Sequence, residues 1–261
     1  MNGRGLLPGD PAKRLVRAPV ADHHFVRAAR ASLVGHADLS PCTPKVLDQG
    51  QTSTCWAHSA ATLLFTRRKF KGGAVQGLQS PLYFAQTVYG SMRAAAHPTG
   101  ELPPLQDTGT DLDTADACFG RWGSQPFVGD GATDVPEGQL PEAEFPAIMS
   151  AQSALFSGPY DITPDGNAPE TVGACLEAGI PVWIGVLIGE VFQRMGPNDV
   201  AQPCDPGDPS AGGHAMSIIG YDKDRFLVRN SWGGTWNRGG DCYVSAAFLA
   251  SAWQLLPFEV S

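Results

Sequence analysis

The 261 residues suffice for one large domain or two small ones packed together, and a hydrophobic share of 43% is that of an ordinary globular chain. A formal net charge of −8 argues against a nucleic-acid partner. No run approaches the roughly 18 apolar residues that a spanning helix needs, and the N-terminus lacks the apolar core of a secretory signal, so neither a membrane segment nor a cleaved leader is expected.

Residues 1–35 mix Gly, Pro, Arg and Ala and read as an extended arm with one short helix near Phe25–Val34. Residues 1–30 hold six Lys/Arg against two Asp, and the remainder twelve against twenty-four acids. A basic arm beside an acidic body either lies on it or stays a solvated tail; both readings are open. The stretch Gln49-Gly50-Gln51-Thr52-Ser53-Thr54 reads as a turn ending in good N-cap residues. From Cys55 the residues favour helix through Leu63, Leu64 and Phe65 to Arg67-Arg68-Lys69, whose cations suit the negative end of the dipole. Cys55 is thereby placed in the first turn, where the positive end is expected to lower a thiol pKa.

Ser80 to Met92 reads as a second helix, with Ser80 as cap and Pro81 at the first position. A proline-rich loop over 93–110 follows, and Asp111 to Trp122 reads as a third helix. Residues 123–146 are long for a loop in a compact domain and read as a surface elaboration or a substrate-shaping insertion. Pro169 to Ala178 is predicted helical, and Val182–Ile188 is an apolar run of strand length. A Pro/Gly/Asp loop over Phe192–Gly213 leads to two strands, one from Gly212 to Tyr221 and one from Arg225 to Asn230, joined by a turn at Asp222-Lys223-Asp224. Cys242-Tyr243-Val244 reads as a last short strand, and Phe248 to Leu256 closes the chain. Helices first and strands later indicate an α+β fold.

Adjacent strands would bring His214 and Asn230 side by side. An Asn carbonyl can fix the tautomer and ring angle of a His whose other nitrogen faces a thiol. A cysteine with such a partner becomes a nucleophile, although a cysteine's commoner role is that of a small buried hydrophobe. His58, three residues after Cys55 on the same helix face, is the rival base.

Three blocks together, Gln49-Gly50 ahead of Cys55-Trp56-Ala57, then Gly213-His214-Ala215, then Asn230-Ser231-Trp232-Gly233, resemble the papain-like cysteine peptidases. Weaker likeness extends through Asp38–Gly50, Leu78–Tyr83, Asp107–Thr110 and Ala178–Val182, with a bacterial flavour at the first and third, so the resemblance spans roughly residues 36 to 250. It implies a helical left part and a β-barrel-like right part with the cleft between them. The corresponding division is an arm over 1–35, a left subdomain over 36–150 and a right subdomain over 151–261. By the resemblance, Cys55 is the nucleophile, His214 the base, Asn230 its orienter and Gln49 an oxyanion donor together with the Cys55 N–H. His58 then fills a packing role. Gly213 and Trp232 would be substrate-binding, and Trp232 would also shield the Asn–His bond.

The implied activity is that of an endopeptidase working through a thioester acyl-enzyme, with a protein or peptide substrate, no metal and no cofactor. A cysteine amidase or acyltransferase acting on cell-wall peptides, and a silent binding module in the same fold, are the alternatives. The family's long helical propeptide does not fit into the 54 residues ahead of Cys55. The setting expected is the cytoplasm, or secretion without a cleaved leader into a target cell as an effector or toxin, for which an inhibitor or immunity protein would be a partner. Ser53 and Thr54 replace the family's Gly-Ser, so their side chains would either narrow the non-primed cleft or change which residues fit, and Thr52 replaces its disulfide cysteine. With Cys55 set aside, Cys42, Cys118, Cys175, Cys204 and Cys242 are an odd number and cannot form a complete disulfide set. One bridge, such as Cys204 to Cys242, stays open, and a reducing compartment suits the pattern.

Overall fold

The computed structural model describes residues 5–9, 18–19, 35–72, 81–99, 101–122 and 160–259. The helix expected near Phe25–Val34, the cap at Ser80 and the stretch 123–146 lie outside the described residues.

Three helices form where apolar residues recur at helical spacing: α1 (Cys55–Phe70), α2 (Pro81–Ala96) and α3 (Leu112–Trp122). Proline opens α2, where its missing N–H costs nothing. Buried faces of the three helices meet around Trp56, Leu63, Leu64, Phe84, Val88 and Leu112. Helix α1 is buried along most of its length, so it is the central rod of this part and not a surface helix.

The β-rich part follows. It holds α4 (Ala168–Glu177), β4 (Val182–Ile188), α5 (Glu190–Gln193), β5 (Val200–Ala201), β6 (Gly212–Asp222), β7 (Arg225–Arg229), β8 (Asp241–Ser245), α6 (Ala246–Ala250) and β9 (Gln254–Pro257). Two short strands are added from upstream: β1 (Ala18–Pro19), parallel to β3 (Tyr160–Asp161), and β2 (His36–Asp38), antiparallel to β6. The main sheet runs β5-β8-β7-β6-β4-β9 with β2 on β6. Its ends do not pair among the described residues, so the barrel-like expectation resolves into an open mixed sheet beside helices, the α+β class expected. The apolar run of β4 is buried between β6 and β9, which explains why it does not alternate. Segments 190–193 and 200–201, expected as loop, hold one turn of helix and a two-residue strand, too short for a periodic signal.

Helix α4 ends in a Schellman pattern. Ile180 N–H donates to Cys175 O at 2.8 Å and Gly179 N–H to Leu176 O at 2.9 Å, with Gly179 at φ +72°. A side chain at 179 would meet the Phe70 ring, and Arg67 donates to Gly179 O at 2.9 Å while pairing with Glu259 at 2.6 Å. The end of α1, the end of α4 and the tail of the chain are thus tied at one point.

Docking of α1 onto the sheet fixes where its start lies. Trp183 Nε1–H donates to Ser59 Oγ at 2.6 Å, and Ser217 Oγ–H donates to Ser59 O at 3.1 Å. Ser59 Oγ in turn donates back to Cys55 O at 2.9 Å. All of these groups are buried, and they hold the first turn of α1 against β4 and β6.

Candidate active site

Cys55 opens α1, as the sequence predicts. The cap differs from expectation. Thr54 precedes the helix, but its hydroxyl turns to Thr52 Oγ1 at 2.5 Å and to the His58 ring at 3.2 Å, making no cap bond. His58 Nδ1–H donates to Thr54 O at 2.9 Å, so this ring faces back down the helix start and is held in the interior. Burial pushes its pKa down to about 4 and keeps it neutral.

His214 lies on β6 opposite Val186 of β4, and its neighbour Ala215 reaches Cys55 with its backbone N–H. Hairpin β6–β7, turning through Lys223 at φ +60°, sets Ser217 opposite Arg229, and Asn230 follows directly. His214 Nε2–H then donates to Asn230 Oδ1 at 2.8 Å. Ser231 N–H donates to the same oxygen at 2.8 Å, which fixes which end of the amide is the carbonyl. With the proton on Nε2, Nδ1 is the basic nitrogen of the neutral ring. Trp232 lies over the imidazole, ring centroids 4.8 Å apart at 32°, and is buried, so water is kept off the His–Asn bond.

Segment 230–233 also places Gln49. Gln49 N–H donates to Ser231 O at 2.9 Å and Gly233 N–H to Leu47 O at 3.0 Å. The buried Gln49 amide is held at both ends: Ser231 Oγ–H donates to Oε1 at 2.6 Å, and Nε2–H donates to Thr52 O at 2.8 Å. An oxyanion would call on the second N–H of Nε2 and on the Cys55 N–H at the helix start. Cys55, His214, Asn230 and Gln49, distant in sequence, are thereby gathered at the junction of α1 with β6 and the 230–233 segment.

Sequence reasoning gave Ser231 no separate role, though its hydroxyl fixes the Gln49 amide. It also missed a network under the turn that leads into Cys55. Asp107 Oδ2 accepts from Ser53 N–H at 2.6 Å, its Oδ1 is 3.0 Å from Tyr89 Oη, and Trp56 Nε1–H lies 3.1 Å from Ser53 O. The only signal was the resemblance of Asp107–Thr110 to a family turn.

Burial pushes the Cys55 thiol up, against the lowering expected from the helix start. Desolvation outweighs the backbone N–H groups of Gly5, Ala215 and Trp56 that favour the thiolate, and Asp107 adds to the rise. The desolvation has a visible source: residues 5–9 lie across the site. Leu6 N–H donates to Gly213 O at 3.3 Å, Thr110 N–H to Gly5 O at 2.9 Å and Leu7 N–H to Thr110 O at 2.9 Å. Gly213, expected to bind substrate, accepts here from Leu6 N–H. Ser53 lies against Gly5: a Cβ at position 5 would fall 1.9 Å from the Ser53 backbone oxygen. All six cysteines are free thiols.

No known protein-family profile matches the chain. In sequence it is similar to cathepsin B-like CP3 of Giardia intestinalis, 28% identical over 212 residues, and to cathepsin B-like CP2 of the same organism, 27% over 210 residues. Each match takes in 76% of this chain and 63% of the relative, so the chain spans under two thirds of the length of these curated relatives. In structure it is similar to xylellain, a cysteine protease from Xylella fastidiosa, with TM-score 0.70, 19% identity and coverage of 99% and 95% of the two chains. It is also similar to procathepsin B S9 from Trypanosoma congolense, with TM-score 0.67, 15% identity and coverage of 99% and 87%. Procathepsin L 3 of Tenebrio molitor gives TM-score 0.63, 16% identity and coverage of 98% and 75%.

Proposed function

We propose that the chain, whose fold is that of the papain-like cysteine proteases, is a cysteine endopeptidase that cuts peptide bonds through a thioester. One observation carries the reading. A buried imidazole, its tautomer set by the 2.8 Å bond to Asn230, stands one residue before Ala215, whose backbone N–H reaches the sulfur of a cysteine at a helix start.

The chemistry follows from these groups. Nδ1 of His214 takes the Cys55 proton, and the sulfur attacks the substrate carbonyl. The oxyanion is met by the Cys55 N–H and the Gln49 amide. The imidazolium protonates the leaving amine, the C–N bond breaks, and the acyl group stays on sulfur as a thioester. Water, deprotonated by His214, then attacks the thioester, and the thiol is regenerated as the acid leaves. Asn230 holds the ring in line for both proton transfers.

Six free thiols suit a reducing compartment, that of the producing cell or of a target cell entered as an effector. The substrate is a protein or peptide. The test is mass-spectrometric mapping of cleavage sites in a cell lysate, with Cys55→Ala as control. New termini that depend on Cys55 support the proposal. No such termini, together with turnover of muropeptides, would move the assignment to cell-wall amide chemistry. Neither activity, with Cys55→Ala retaining every cellular effect, would leave a binding module.

A further inference from the structure

We propose that Asp107 and Tyr89 are positioning residues for the reaction: together they clasp the turn over 52–54 that leads into Cys55, beneath the sulfur, and so hold both oxyanion donors in place. Both donors hang on that turn. The Cys55 N–H follows it directly, and Gln49 Nε2–H donates to Thr52 O at 2.8 Å. Thr52 in turn donates to Gln49 O through its N–H at 3.2 Å and its hydroxyl at 2.7 Å, so one end of the turn is tied to the oxyanion residue itself. No disulfide helps to hold it, since all six cysteines are free thiols.

The Ser53 end is held from other parts of the chain. Ser53 N–H donates to Asp107 Oδ2 at 2.6 Å, across 54 residues of sequence. Tyr89, buried on α2, brings its Oη to 2.9 Å from Ser53 O and 3.0 Å from Asp107 Oδ1, and accepts from Gly109 N–H at 3.1 Å. Trp56 Nε1–H lies 3.1 Å from Ser53 O and 3.3 Å from Tyr89 Oη, and the two rings meet edge to face with centroids 5.4 Å apart. With Asp107 ionised the proton count closes: the carboxylate takes Ser53 N–H and Tyr89 O–H, and Ser53 O takes Trp56 N–H. Both polar groups of the Ser53 main chain are thereby fixed.

The carboxylate also acts through its charge. Burial raises the Asp107 pKa, while Ser53 N–H and the Tyr89 hydroxyl oppose the rise. The negative charge disfavours the thiolate of Cys55. A neutral acceptor in the same place would keep the hold and lift that penalty, so one side chain has two effects that substitution separates.

The hold on the oxyanion donors rests on the peptidase reading, and the effect on the thiol does not. The experiment therefore pairs hydrolysis of a peptide pool with the pH profile of Cys55 alkylation by iodoacetamide, read residue by residue by mass spectrometry. Asp107→Ala removes acceptor and charge, and kcat should fall about tenfold to a hundredfold with KM within about twofold of the parent. Asp107→Asn removes the charge alone: Oδ1 accepts from Ser53 N–H, the amide N–H donates to Tyr89 Oη, and the Tyr89 proton turns to Ser53 O. It should recover most of the lost kcat and lower the midpoint of Cys55 alkylation by about half a unit to one unit. Where the buried Cys175 and Cys242 also label faster in Asp107→Ala, that variant has unfolded. Tyr89→Phe, which keeps the ring and drops one hydroxyl, then takes its place with the same split of kcat from KM expected. A kcat within about twofold of the parent in the folded variant, an Asp107→Asn as slow as Asp107→Ala, or an unmoved alkylation midpoint overturns the clasp. A parent that cuts no peptide sinks the peptidase reading and leaves the midpoint of Asp107→Asn to decide the clasp.

Discussion

Ser231→Ala tests the oxyanion arrangement with one hydroxyl. The substitution removes the 2.6 Å bond from Ser231 Oγ to Gln49 Oε1 and leaves the backbone pairing of Gln49 N–H with Ser231 O intact. Gln49 is fully buried, and losing a hydrogen bond to a buried acceptor costs about 1–3 kcal/mol, or roughly 5 °C of Tm for a chain of this size. Nε2 still donates to Thr52 O. A less firmly held amide loses part of the oxyanion donation, whose full removal costs on the order of 10²–10³ in kcat. A fall in kcat of about tenfold to a hundredfold, with KM unchanged, is expected because the interaction forms only in the transition state. Alkylation of Cys55 develops no oxyanion, so its rate should stay at that of the parent. Since Ser231 acts through Gln49, adding Ser231→Ala to Gln49→Ala should cost little more. A kcat within about twofold of the parent, or alkylation slowed by the same factor as hydrolysis, would refute the reasoning.

His58, its pKa pushed from the ordinary 6.5 down to about 4 by burial, is protonated more readily in the unfolded chain than in the folded one. Stability is therefore full above pH 6.5 and falls as the pH drops toward 4, by up to about 3 kcal/mol. His58→Gln should flatten that limb in urea unfolding between pH 7 and pH 4.5, and an unaltered limb would be the contrary result. Gly185→Ala narrows the Leu6 pocket. The new Cβ would fall 2.8 Å from Leu6 Cδ2, so a cost of about 1 kcal/mol is expected, and a Tm equal to that of the parent would count against the contact. Arg229 pairs with Asp241 through two bonds of 2.5 and 2.9 Å and also donates to Pro44 O, with both ionic side chains largely buried. Arg229→Met strands the carboxylate and should cost about 3 kcal/mol, while the double variant Arg229→Met/Asp241→Leu should recover most of it. Thermal melting of the four-member cycle decides.

The parts of the site legible in the sequence are those that carry chemistry in adjacent letters. Cys55 at a helix start, His214 between a glycine and an apolar strand, and Asn230 before a glycine turn can each be read locally. The hairpin that unites the last two follows from one turn. Helices α2, α3 and α4 and strand β4 were legible from periodicity and proline placement, within one or two residues at most ends; α2 runs one turn further, to Ala96. What was hidden depends on long-range neighbours. Thr54 looks like a cap, yet its hydroxyl prefers Thr52 and His58. The thiol at the helix start looks activated, yet burial under Gly5 and Leu6 reverses the direction. Gly5 and Leu6 show no periodic pattern, and their partners Ser53, Gly109, Thr110 and Gly213 come from three separate stretches. Strand β2 is three residues long and has meaning only against β6.

The way residues 5–9 are held leaves an asymmetry for mutation and descent. Peptide groups are the same in every residue, so a lock made mostly of main-chain bonds barely reads the letters it holds. Position 5 tolerates nothing larger than glycine, and position 6 is tuned to one pocket, whereas position 7 faces outward and can drift. New surface chemistry can accumulate on that outward edge without loosening the seat of the segment.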